Sequence, residues 1–164
     1  MYDASAGTFH QMLGNLDRIL DKAEAHAKAK GFDPSNLLRS RLAVDMFDLV
    51  RQVQIACDMA KSGAARLAGV EVPKHDDVET TFAELKVRIA KALAVVDSMD
   101  RKAIEDSADR DISVPLRDRT LQFKGQAYLL GWVLPNFYFH VTTAYAILRQ
   151  NGVELGKPDF LGRG

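Results

Sequence analysis

The sequence has little that marks a known chemistry at first sight. Its single cysteine, Cys57, cannot close an internal disulfide and suits a reducing cytoplasm. Lys plus Arg and Asp plus Glu both number 22, so the formal net charge is zero. With no basic excess to meet a phosphate backbone, nucleic acid is excluded as the main partner. No apolar run approaches the roughly 20 residues that a membrane span needs. The first residues lack the basic-then-apolar layout of a signal peptide. There is no P-loop, no Gly-rich dinucleotide fingerprint, no paired-cysteine zinc spacing and no His-Glu-x-x-His. No nucleophile elbow supports a Ser–His–Asp arrangement. The Glu-x-x-His pairs of carboxylate di-metal bundles are missing too. The histidines at 10, 26, 75 and 140 show no metal-ligand spacing among themselves.

What is present is helical periodicity. The 164 residues are 47% hydrophobic, enough for one domain with a proper core, and no boundary or repeat divides 1–164. From about 4 to 29, Phe9, Met12, Leu13, Leu16, Ile19, Leu20 and Ala23 make one apolar face, ended by Gly31. His10 sits beside that face and His26 in its solvated last turns. Asp33-Pro34 opens a short helical turn. A second helix is expected from about Asp45 to Ala68, with Met46, Val50, Val53, Cys57, Ala60, Ala64 and Leu67 inward. Gln54 lies at the edge of that stripe, while Gln52 and Asp58 are expected to point further out. Cys57 reads as a small core residue.

Residues 70–80, with Pro73 and His75, form a polar linker long enough to cross a bundle. Thr81-Phe-Ala-Glu84 is a capping box, and the third helix runs from there to about Ser98. Around 112–123 the period switches from helical to two: Ile112, Val114 and Leu116, then Leu121 and Phe123. That predicts a short hairpin, with Pro115 keeping its strand at an edge. The tail from Val153 reads as irregular, with Phe160 and Leu161 tucked against the bundle or a second copy.

The organising stretch is Leu134–Arg149, the most apolar long segment, read as the last helix and reached through Pro135. At helical spacing Trp132, Asn136, His140, Thr143 and Ile147 fall on one stripe. Asn136 and His140 then point the same way, one turn apart. Polar side chains in an apolar face are hydrogen-bonded, bound to something, or costly.

Several stretches carry a family resemblance across nearly the whole chain: Met1-Tyr-Asp-Ala-Ser5, Arg41–Phe47, Arg51–Asp58, Ala65–Gly69, Leu134–Arg149 and Asp159-Phe-Leu-Gly162. The chain resembles a bacterial family of unknown function within the DinB/YfiT-like superfamily of metalloenzymes. The resemblance implies an all-α fold: a four-helix bundle in up-down-down-up order, with the hairpin between the third and fourth helices. Many members of that superfamily hold a divalent metal with three histidines, one on the second helix and two four apart on the fourth. Carried onto this chain, those positions are Gln54 (with Gln52 the next choice), Asn136 and His140. Two of the three are amides, which bind transition metals weakly beside imidazole. A tight metal is therefore not expected.

Three readings of function follow. The first is a small molecule bound in a polar pocket between the second and fourth helices, lined by His140, Asn136 and Gln54, with His10 as an outer candidate. There His140 would be the titrating group, and Tyr138 or Tyr145 a possible phenol. The second is a metal-dependent hydrolase or transferase using His140, Asn136 and Gln54 as ligands. The third is a non-catalytic helical interaction protein. Zero net charge and an aromatic-rich last helix also suggest a homodimer. Against all three stands a plain structural role, with Asn136 and His140 bonded only to each other, to Gln54 and to a buried water.

Overall fold

A computed structural model describes residues 1–163. After a π-helical turn (Asp3–Gly7) come α1 (Thr8–Lys30), α2 (Ser35–Leu38), α3 (Leu49–Ala68), α4 (Phe82–Asp97) and α5 (Arg101–Glu105). Strands β1 (Asp111–Pro115) and β2 (Thr120–Lys124) follow, then α6 (Gly125–Tyr128) and a second π turn (Leu129–Val133). The chain closes with α7 (Leu134–Gln150) and α8 (Lys157–Leu161). The protein is thus mostly helical, with one small antiparallel sheet that pairs Ile112 with Phe123 and Val114 with Leu121. Among the described residues no helix is long and apolar enough to cross a membrane.

The four long helices share one core. α3 packs on both α4 and α7, and α1 packs on α4 and α7 from the other side. Phe9 of α1 meets Phe137 of α7 edge-to-face, with ring centroids 5.2 Å apart. Close approach is bought by a missing side chain: a Cβ on Gly63 would lie 2.8 Å from Val133 Cγ1. At Gly125, between β2 and α6, a Cβ would fall 1.9 Å from the Ser107 carbonyl oxygen, so only glycine fits.

Local chemistry sets the helix ends. Thr81 and Glu84 form the reciprocal capping box that starts α4. Gly31 and Gly69 close α1 and α3 in the left-handed conformation. α3 begins later than the sequence suggested. Asp48, not a residue near Asp45, is its cap, accepting from the Arg51 amide at 3.0 Å. Met46 therefore lies outside the helix, half-buried in the preceding loop. The widened turn at Leu129–Val133 precedes Pro135, whose ring would collide with the carbonyl four residues back in a regular helix. The tail is not wholly irregular either: α8 forms there, and its Phe160 ring packs on Tyr145.

Candidate functional site

The buried line of α7 runs one residue away from the expected stripe. Phe137, Val141, Ala144, Ile147 and Leu148 are buried, while Trp132, Asn136 and His140 are half-buried at the helix edge. Thr143 is buried, but its hydroxyl returns to the Phe139 carbonyl at 2.7 Å. His140 thus stands at the seam between α7 and α3 rather than in the core.

Its partner there is Gln52. The expectation that Gln52 points outward is corrected: it is 1% exposed. Because α3 starts at Leu49, Gln52 lies in its first turns, where the preceding loop folds back over the seam. Gln52 Nε2 donates to the Phe47 carbonyl at 3.1 Å. That leaves Oε1 as the acceptor facing His140 Nδ1 at 2.7 Å, so Nδ1 carries the proton and Nε2 holds the lone pair. Nε2 makes no hydrogen bond. The sealed, unpartnered polar side-chain atoms among the described residues are only His75 Nδ1 and Arg88 Nε, so His140 Nε2 meets solvent. Burial, and then the Arg51 charge, hold the His140 pKa below the ordinary imidazole value. Near neutral pH the ring is a neutral acceptor held in one orientation. The Phe139 ring stands edge-on to it, centroids 5.2 Å apart.

The other sequence candidates are dispersed. Asn136 Nδ2 donates to the Trp132 carbonyl at 2.6 Å, back along its own helix. Gln54 is buried but faces the crossover linker, donating to Glu79 at 2.9 Å and accepting from Arg51 at 3.1 Å. It walls a groove of about 490 Å³, with Arg39, Arg41, Phe47, Arg51 and Asp77 also in its lining; His140 and Asn136 do not line it. His10 pairs with Asp97 at 2.6 Å on the surface between α1 and α4. Tyr138 and Tyr145 have no side-chain hydrogen bonds to the His140 ring; Tyr138 packs on Phe137. Cys57 is sealed in the core, its thiol pushed up to about 12 by burial, and is inert.

A second polar assembly escaped sequence reading. Arg88 of α4 is 1% exposed. It donates to Asp58 (2.9 Å), Asp77 (3.0 Å), Glu79 (3.2 Å) and the Asp76 carbonyl (2.9 Å). Lys61 adds a 2.9 Å pair to Asp58, which therefore turns inward against expectation. Burial alone would raise the Glu79 and Asp77 carboxyls, but hydrogen bonds from Gln54 and Arg88 to the first, and from Arg51 and Arg88 to the second, hold both below the usual range. The available signal was an arginine in helical register with Leu85 and Ala92, followed backwards by an acidic linker.

The chain is similar to known helical proteins. Its class is that of a DinB-like helical protein: a crystal structure of a DinB family member from Shewanella denitrificans superposes with a TM-score of 0.90 at 50% identity, covering 98% of this chain and 91% of that one. The chain belongs to the family described as Domain of unknown function (DUF1993), which matches residues 1–161. No curated protein matches it.

Proposed function

We propose that this DinB-like protein binds a small molecule at the α3–α7 seam, with His140 Nε2 as the contacting acceptor or general base and no resident metal. The observation that carries this is the relay from the Phe47 carbonyl through Gln52 to His140 Nδ1. A relay of that kind is what fixes a tautomer and frees the second nitrogen for work. The Phe139 ring stands beside the imidazole, and the Arg51 charge that lowers its pKa is near enough to favour an anionic or acidic ligand. Asn136 Oδ1, opposite its spent amide, is a further acceptor along α7.

The residues do not fit the three-histidine metal of the superfamily. Gln52 has both amide ends committed, Gln54 is held by the linker, and one imidazole nitrogen remains. Amide oxygens add little affinity for zinc or nickel beside imidazole. The long linker between α3 and α4, and the adjacency of those two helices, support the up-down-down-up order within this reading. A lone buried thiol fits a reducing cytoplasm.

The test is nitrogen NMR of the histidine rings, titrated with a panel of small carboxylic acids, phenols and thiols. We expect His140 to carry its proton on Nδ1 at neutral pH. A panel member should move the Nε2 signal in the wild type and much less in Gln52→Leu. A proton on Nε2, or no response to any member, counts against the proposal.

One observation favours a second reading, the homodimer. Val44 is 97%, Phe139 55% and Phe47 54% exposed, and the last two flank the His140 relay. A dimer would cover that apolar rim. A dimeric mass by light scattering that falls to monomer in Phe139→Ser supports it; a monomer at high micromolar concentration excludes it.

A further inference from the structure

Away from the His140 seam, the crossover linker, α3 and β1 enclose a groove of about 510 Å³. Its floor is basic. Lys61, Arg66, Lys74 and His75 line it, against the carboxylates of Asp58 and Asp76. Asp58 is already shared between Lys61 and Arg88, each at 2.9 Å. Arg66 and Lys74 have no carboxylate partner among the described residues; Arg66 reaches only the Tyr128 hydroxyl, at 3.2 Å. Lys61 is 4% exposed; Asp58 supplies its counter-charge but is shared with Arg88, so one carboxylate faces two cations there. His75 Nδ1 is sealed from solvent with no hydrogen-bond partner, a condition native structures rarely leave unexplained. Burial, Lys61 and Arg88 together push its pKa down, so the ring sits in a field that an anion would relieve. The rest of its lining is mainly apolar and includes Val114, Leu116, Trp132, Met59 and Val72.

We propose that this groove is a second binding site, for an anion carrying a compact apolar group: a carboxylate or phosphate monoester whose acid group meets Lys61, Arg66 and His75 while its aromatic or branched body lies on Trp132 and Leu116. Neutral apolar molecules lack the counter-charge, and a bare anion leaves the Trp132 wall wet. The size of the groove suits one small ligand, since such pockets fall in the range of about 300–1,000 Å³.

The experiment is amide NMR titration of the full chain with four probes: phenyl phosphate, benzoate, inorganic phosphate and benzyl alcohol. Shifts should appear around residues 59–62, 73–76 and 114–116 and at the Trp132 indole. Phenyl phosphate or benzoate should bind, and whichever binds more tightly identifies the acid group. Inorganic phosphate and benzyl alcohol should bind more weakly by about tenfold or more, because each lacks one half of the recognition. Lys61→Met should weaken the tighter probe by about tenfold or more. His75→Gln, a change in the linker that spares the core pair, should weaken it severalfold with the fold intact. No shift from either aromatic acid overturns the proposal. So does equal binding of benzyl alcohol or of inorganic phosphate, or unchanged affinity in both variants.

Discussion

Along α3, polar groups meet two neighbours, and the two arrangements differ in kind. Towards the linker, Arg88, Asp58, Asp77, Glu79 and Gln54 form a dense network in which Arg88 Nε is the one sealed atom without a partner among the described residues. Towards α7, one imidazole and one amide form a thin relay whose last atom, His140 Nε2, is left open. Both bury polar groups, yet only the first resolves its charges internally. A closed network fixes geometry, here pinning residues 76–79 across α3 and α4, whereas an open relay leaves bonding capacity for something outside the chain. That contrast is why the seam, rather than the richer charge cluster, is the site proposed for chemistry.

The largest effect is expected at Arg88. Arg88→Met should destabilise the fold by about 3–5 kcal/mol, because Asp58, Asp77 and Glu79 lose their shared counter-charge while still partly buried. A urea melt reads the loss, and hydrogen exchange should rise in 76–79 while the amides near His140 keep their protection. If exchange instead rises equally at both regions, they are one cooperative unit and the contrast fails.

A smaller effect is expected at the relay. Gln52→Ala strips partners from the Phe47 carbonyl and His140 Nδ1, at about 1–3 kcal/mol. It should also release the 41–47 loop, which exchange measurements on that segment can report. A stability loss as large as that of Arg88→Met would mark the relay as structural rather than poised for a ligand.

The smallest effect is the pH dependence. The folded pKa values of His140 and His75 are both depressed, so below the ordinary imidazole value of about 6.5 the unfolded chain binds protons that the folded chain refuses. Stability should be full above that pH and decline as pH falls through it towards the folded values. His140→Gln should remove its share of the slope, and His75→Gln the rest. At lower pH a second decline is expected as Asp77 and Glu79, whose pKa values are also depressed, protonate and release Arg88. Chemical denaturation across the pH range separates the two: a slope between neutral pH and the carboxylate range that survives both histidine changes would show that other groups set it.

By itself the sequence determined the helical segments, the hairpin pattern, the capping box at Thr81 and the family resemblance. All are local or pattern-borne: apolar residues at 3.6 or 2 positions, a cap followed by Glu84, a glycine at the stops of α1 and α3. It also marked His140 as the residue to watch. The partner of His140 was not legible, because Gln52 and Gln54 differ by two positions and about half a turn, and α3 is packed on both sides, so only the tertiary packing decides which of them faces α7 and which the linker. Asp48 capping α3 is a local signal, but only the loop folding back from Ser40 makes it the true start. Arg88 was missed for a related reason. A single arginine in an apolar stripe reads as an edge residue until distant carboxylates, brought by the linker across α3, give it partners. Periodicity fixes which face of a helix is apolar; what lies opposite each polar residue depends on contacts between segments far apart in the chain, and those exist only once the helices have packed.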